Sequence, residues 1–182
     1  MTTRPTTGDG YGVLDRGGER LQVRYVRKLA HAPEQVWQAI TEPEHLRAWF
    51  PTDIVGERAT GAELTFPFRD GEGPTMSGRV VAFDPPELLE LLWGDDLLRF
   101  ELERDGDGTV LTLSVTLDQL GKAARDGAGW HACLDALACD LAGEKPPEDR
   151  WREVRQDYVD RFGPEASTIG PPQEWIDANG EP

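Results

Sequence analysis

The segment 88–117, LLELLWGDDLLRFELERDGDGTVLTLSVTL, decides the fold. In its last third Leu111, Leu113, Val115 and Leu117 alternate with Thr112, Ser114 and Thr116. That is the period of two of a strand with one apolar face. Gly94-Asp95-Asp96 and Asp105-Gly106-Asp107-Gly108 are turn signals between extended runs. Three strands therefore follow one another through tight turns. Such a run makes an antiparallel meander; parallel βαβ units would need a long crossover between strands.

Upstream, Leu64, Phe66 and Phe68 alternate with Glu63, Thr65 and Pro67, which predicts another strand. Residues 78–83 read as a further strand, broken by Asp84-Pro85-Pro86. Nearer the N-terminus, 11–15 and 20–29 flank Arg16-Gly17-Gly18-Glu19 as a hairpin. Between the hairpin and the meander lie two short helices. The first opens at Pro33 and carries Val36, Trp37 and Ile40 as its apolar stripe. Thr41 is the expected cap of the second, with Pro43 at its start and Leu46, Trp49 and Phe50 on its apolar face.

Beyond the meander the period becomes helical. Trp130, Leu134, Leu137 and Leu141 lie four, three and four apart, the pattern of a long amphipathic helix that Gly143 ends. Gly127 and Gly129 flank Ala128 inside it, and each glycine costs about 1 kcal/mol there. Close approach of a neighbour, or room for a ligand, would repay them. A second stripe, Trp151, Val154, Tyr158 and Phe162, predicts a shorter tail helix. Its apolar face docks back on the domain or, alternatively, closes a homodimer.

The predicted fold class is α+β, a curved antiparallel β-sheet wrapped around a long C-terminal helix, with two short helices after the first core strand. Residues 1–10 are expected to be a disordered N-terminus, 11–143 the domain, and 144–182 a helix and irregular tail. One domain suits a chain of 182 residues.

Composition excludes several classes of function. A net charge of −15 repels nucleic acid and anionic membrane surfaces. The basic residues Arg150, Arg152, Arg155 and Arg161 are interleaved with Glu148, Asp149, Glu153, Asp157 and Asp160 and form no basic patch. No apolar run is long enough to span a membrane, and the start of the chain lacks the apolar stretch of a signal peptide. Cys133 and Cys139 diverge on one helix and cannot bridge, so a reducing cytoplasm is expected.

The residues that could do chemistry do not assemble a reaction centre. His131, Cys133 and Asp135 lack a second pair of metal ligands at suitable spacing. Ser77, Ser114 and Ser167 stand in no nucleophile motif, and Gly71-Glu72-Gly73 is too short and acidic to cradle phosphate. No catalytic residue, metal or other cofactor is expected.

One ordered series of motifs resembles a known superfamily. It comprises HAPEQVWQAITEPEHL at 31–46 with Trp49-Phe50, Gly78-Arg79-Val80 before Asp84-Pro85-Pro86, and Leu91-Leu92-Trp93-Gly94. GDGTVLTL at 106–113, Gly129-Trp130-His131 and Leu134-Asp135-Ala136-Leu137 complete it. The series resembles the START/Bet v 1-like (SRPBCC) helix-grip superfamily, in the branch named for the C-terminal domain of the Hsp90 ATPase activator. The resemblance implies a deep apolar cavity between sheet and long helix, in which members bind lipids, polyketides or other small hydrophobic molecules. Some members are cyclases or hydrolases. In the co-chaperone another domain precedes this one and no such segment is expected here, so Hsp90 activation is read as an inherited label more than an inference.

The expected function is binding of a small hydrophobic molecule. The alternatives are an enzyme acting on such a molecule, and a protein-interaction domain that is co-chaperone-like or accessory to a regulator. Trp49, Phe66, Phe68, Trp93, Phe100, Leu113, Trp130 and Leu134 fall on predicted apolar faces near the hollow and are its expected lining.

Overall fold

The computed structural model describes residues 8–69, 71 and 73–181. Seven strands form one antiparallel sheet: β1 (Val13–Asp15), β2 (Gln22–Leu29), β3 (Glu63–Phe66), β4 (Met76–Asp84), β5 (Leu88–Trp93), β6 (Asp96–Asp105) and β7 (Gly108–Thr116). Their order across the sheet is β1-β2-β7-β6-β5-β4-β3, so β2 closes onto the end of the meander. The turns are as tight as the sequence demands. Trp93 pairs with Asp96, and Asp105 with Gly108. Gly94 and Gly106 adopt the left-handed φ that such two-residue loops require.

Two short helices, α1 (Pro33–Thr41) and α2 (Pro43–Trp49), bridge β2 and β3. Proline occupies the first turn of each, where a missing N–H is harmless. Thr41 is the last residue of α1 and not the cap of α2. Its hydroxyl donates back to the Trp37 carbonyl at 2.7 Å, and Glu42 occupies the cap position without a side-chain bond. The strand pattern through Phe68 also stops early. β3 ends at Phe66, and the Pro67 carbonyl accepts from the Asp53 N–H at 3.1 Å, outside the ladder.

The long helix α3 (Ala123–Ala142) packs against β2, α1 and α2 and carries Trp130, Leu134 and Leu137 into the core. The tail then folds back. Helix α4 (Arg150–Phe162) lies along α3 and buries Val154, Tyr158 and Phe162, so the stripe that could have closed a homodimer is covered by its own chain. A short helix α5 (Gln173–Asn179) interrupts the arm expected to be irregular.

The two glycines of α3 have different neighbours. A Cβ at Gly127 would lie 2.9 Å from Tyr158 Cδ1 and 3.0 Å from Phe162 Cε2, so this glycine permits the close approach of α4. At Gly129 the nearest atom would be Trp151 Cδ1, at 3.9 Å, which is ordinary contact. Gly127→Ala is therefore expected to destabilise by about 1 kcal/mol net, because overpacking outweighs the gain in helix propensity. Gly129→Ala is expected to stabilise by up to about 1 kcal/mol. Urea unfolding of the two variants checks the opposite signs.

Candidate functional site

A groove of about 330 Å³ opens where the end of β5, the loop after α2, α3, α4 and the C-terminal arm converge. Four of the protein's six tryptophans line it: Trp93 from β5, Trp130 from α3, Trp151 from α4 and Trp175 from α5. Pro51, Cys133, Gly129, Pro171 and Pro172 complete the apolar wall, and Arg125 and Asp126 supply the polar groups. The rings are held in pairs. Trp93 and Trp130 meet edge-to-face at 5.5 Å, and Trp151 and Trp175 do so at 5.0 Å. Behind the first pair stands Phe50, 6.1 Å from Trp93 and 5.7 Å from Trp130, itself backed by Trp49 at 5.4 Å.

The titratable groups of this groove are poorly suited to catalysis. Arg125 Nε donates to Asp126 Oδ1 at 2.6 Å, so the two charges satisfy each other. Burial pushes the Cys133 thiol up to about 12, which leaves almost no thiolate at neutral pH.

A second polar cluster binds α4 to the core. Asp135 of α3 accepts from Arg27 of β2 at 2.6 Å and from Arg150 of α4 at 2.7 Å. His131, one turn earlier, is buried with Nε2 3.4 Å from Asp135 and Nδ1 3.0 Å from the Tyr158 hydroxyl. That hydroxyl also accepts the Gly12 N–H at 2.8 Å. Burial alone would raise the Asp135 carboxyl, but hydrogen bonds from His131, Arg150 and Arg27 outweigh it and hold the group well below the usual range. A carboxyl lowered by folding stabilises the fold above its unfolded value near 4, and that contribution disappears as the pH falls through the lowered value. Between pH 7 and pH 3, Asp135→Asn is expected to lose about 1–2 kcal/mol less stability than the natural chain. Equal losses in urea unfolding at the two pH values would refute it.

The eight residues expected to line a cavity divide unevenly. Trp93 and Trp130 stand in the groove wall. Trp49, Phe66, Phe100, Leu113 and Leu134 are buried in the hydrophobic core at 4% exposure or less and take no part in this groove. Phe68 lies half-buried beside Gly73, where a Cβ would come within 3.1 Å of its ring. Sequence reasoning missed Pro51, Cys133, Pro171, Pro172 and Trp175 as lining and placed Trp151 in a docking stripe. The signal that pointed to them was the pair of costly glycines in α3, one of which turned out to border this groove.

Comparison with known proteins agrees with the geometry. A family model described as "Activator of Hsp90 ATPase homolog 1-like protein" matches residues 30–141. No curated protein sequence matches the chain. Among solved structures, EF2215 from Enterococcus faecalis, a conserved protein of unknown function, superposes with a TM-score of 0.71 at 19% identity, over 83% of this chain and 90% of its own. CalU16 from Micromonospora echinospora gives 0.65 at 23% identity, over 84% and 94%. DynU16, described as a protein in the dynemicin biosynthetic locus, gives 0.61 at 25% identity, over 69% of this chain and 48% of its own. The sheet order, the two short helices and the long helix that grips the sheet all lie in or around that matched segment, and the chain belongs to the family of Activator of Hsp90 ATPase homolog 1-like proteins.

Proposed function

We propose that the protein binds a small hydrophobic molecule in the tryptophan-lined groove beside α3 and does not transform it. The observation that carries this reading is the convergence of four indole rings from four different elements on one recess of about 330 Å³. Small-molecule pockets run from roughly 300 to 1,000 Å³ and favour aromatic walls with few polar groups. The mutual pairing of Arg125 and Asp126 and the protonated Cys133 favour a binder over an enzyme. The description of DynU16 as a protein of a biosynthetic locus supports a small molecule as occupant.

Gly129 offers the test, because it borders the groove and a Cβ there meets nothing nearer than Trp151 Cδ1 at 3.9 Å. Titration with N-phenyl-1-naphthylamine, an uncharged dye, is expected to give saturable emission with the natural chain. With Gly129→Phe the affinity is expected to fall at least about tenfold, since the new ring occupies the recess. Equal binding by both proteins would place the dye elsewhere and remove the reading. Native mass spectrometry of the freshly purified protein, compared with its denatured mass, then shows whether a molecule is retained.

A further inference from the structure

We infer that the groove selects uncharged, flat, fused-ring aromatic molecules over flexible chains of equal carbon count, and that Trp151 and Trp175 of the tail make that selection. This rests on the small-molecule reading of the groove given above.

The first argument is the kind of surface offered. In an edge-to-face pair one ring presents its rim to its neighbour's face, so a wall of such pairs offers a guest both indole rims and indole faces. The Trp93–Trp130 pair belongs to the helix-grip core, and the Trp151–Trp175 pair to the tail. An aromatic guest gains quadrupole-matched contacts with such faces beyond the area it buries, whereas an alkyl chain gains only the area.

Rigidity supplies the second argument. The strap that carries Trp175 is fastened on both sides. The Ile169 N–H donates to the Gly121 carbonyl at 3.0 Å, and Arg125 Nη1 donates to the Gly170 carbonyl at 3.3 Å. Farther along, Arg152 donates to the Asn179 carbonyl, and its guanidinium lies 5.6 Å over the Trp175 ring. Pro171 and Pro172 fix two φ angles between these fastenings. A slot of fixed shape suits a guest with no torsions to lose, while an alkyl chain must freeze its own.

Charge and size complete the case. Arg125 and Asp126 neutralise each other at the wall, so an ionised guest would find no unspent counter-charge. About 330 Å³ lies at the small end of the range for ligand pockets, which fits two or three fused rings. Trp151, Pro171, Pro172 and Trp175 all lie beyond residue 141, where the family match ends. The selectivity is thus a property of this chain's tail.

The probes are 2-naphthol and 1-decanol, which share a carbon count and a single hydroxyl. They are titrated calorimetrically into the full chain and into Trp175→Ala and Trp175→Phe, with circular dichroism and thermal unfolding as controls on folding. A wall that responded to apolar area alone would favour the alcohol. The full chain is expected to bind 2-naphthol more tightly than 1-decanol. Trp175→Ala is expected to weaken 2-naphthol by about 3–10-fold, as the loss of one aromatic contact implies, and to change 1-decanol by less than about twofold. Trp175→Phe keeps a ring in place and should retain the preference. Binding of 1-decanol as tight as that of 2-naphthol, or equal weakening of both by Trp175→Ala, would overturn the inference and leave the small-molecule reading intact. Binding of neither probe to the full chain would overturn both.

Discussion

Tyr158→Ala is expected to lower the unfolding free energy by about 3–5 kcal/mol, the cost of removing a large buried aromatic ring. The ring is fully buried and packs into the gap that Gly127 leaves in α3, with Phe162 edge-to-face at 5.2 Å. Its hydroxyl joins three separate pieces of chain, accepting from the Gly12 N–H at 2.8 Å and lying 3.0 Å from His131 Nδ1. Truncation opens a cavity between α3 and α4 and leaves these buried partners without a bond. Tyr158→Phe separates the two effects: it keeps the ring and should cost about 1–3 kcal/mol through the unsatisfied groups alone. Urea unfolding of both variants checks the order. A loss below about 1 kcal/mol for the alanine variant would show that α4 contributes little to the fold, against the cavity cost expected for such a site.

Phe50→Ala carries a comparable expected loss, about 3–5 kcal/mol, with a functional consequence attached. Phe50 is buried at the end of α2 and touches Trp49, Trp93 and Trp130. It is the common support of one aromatic pair in the groove. Its removal should let Trp93 and Trp130 relax inward and weaken binding of N-phenyl-1-naphthylamine along with stability. Phe50→Leu keeps most of the volume and should cost less than about 2 kcal/mol. If the alanine variant lost stability yet bound the dye as the natural chain does, the two rings would not depend on Phe50 for their placement.

The meander could be read residue by residue because its signals are local. Alternation in Leu111–Leu117 and the glycines at 94 and 106 act within a few positions, and the structure pairs those strands antiparallel through the two turns. The same holds for α3, whose apolar residues at 130, 134 and 137 are buried as their spacing required. What escaped was set by contacts between distant segments. Trp151 and Trp130 reach one groove only because α4 folds back along α3, and nothing in a local window encodes that return. Phe68 shows the opposite failure. Its alternation with Phe66 was a sound strand pattern, yet Pro67 lacks the N–H that continuing the ladder would need. The aromatic positions were legible as apolar, but whether a ring fills a core or faces a recess depends on what stands opposite it. Trp93 and Phe100 carry the same kind of signal and ended in different places.

The junction between the two ends of the chain bears on the order in which the molecule is made. Asp9 accepts from Arg161 at 2.6 Å, Arg161 lies 3.9 Å over the Tyr11 ring, and Tyr11 donates to Asp157. The first described residues thus find their partners about 150 positions later, in a helix translated after the whole sheet. On the ribosome the sheet and α3 leave the exit tunnel before α4 and can associate while α4 is still inside it. The flank of α3 around Gly127 and Trp130 then stays wet until α4 arrives, and the tryptophan-lined groove is the last part of the protein to come into being. A released chain truncated before residue 150 should accordingly show a protected sheet and an unprotected, dye-accessible α3, a state visible by hydrogen exchange.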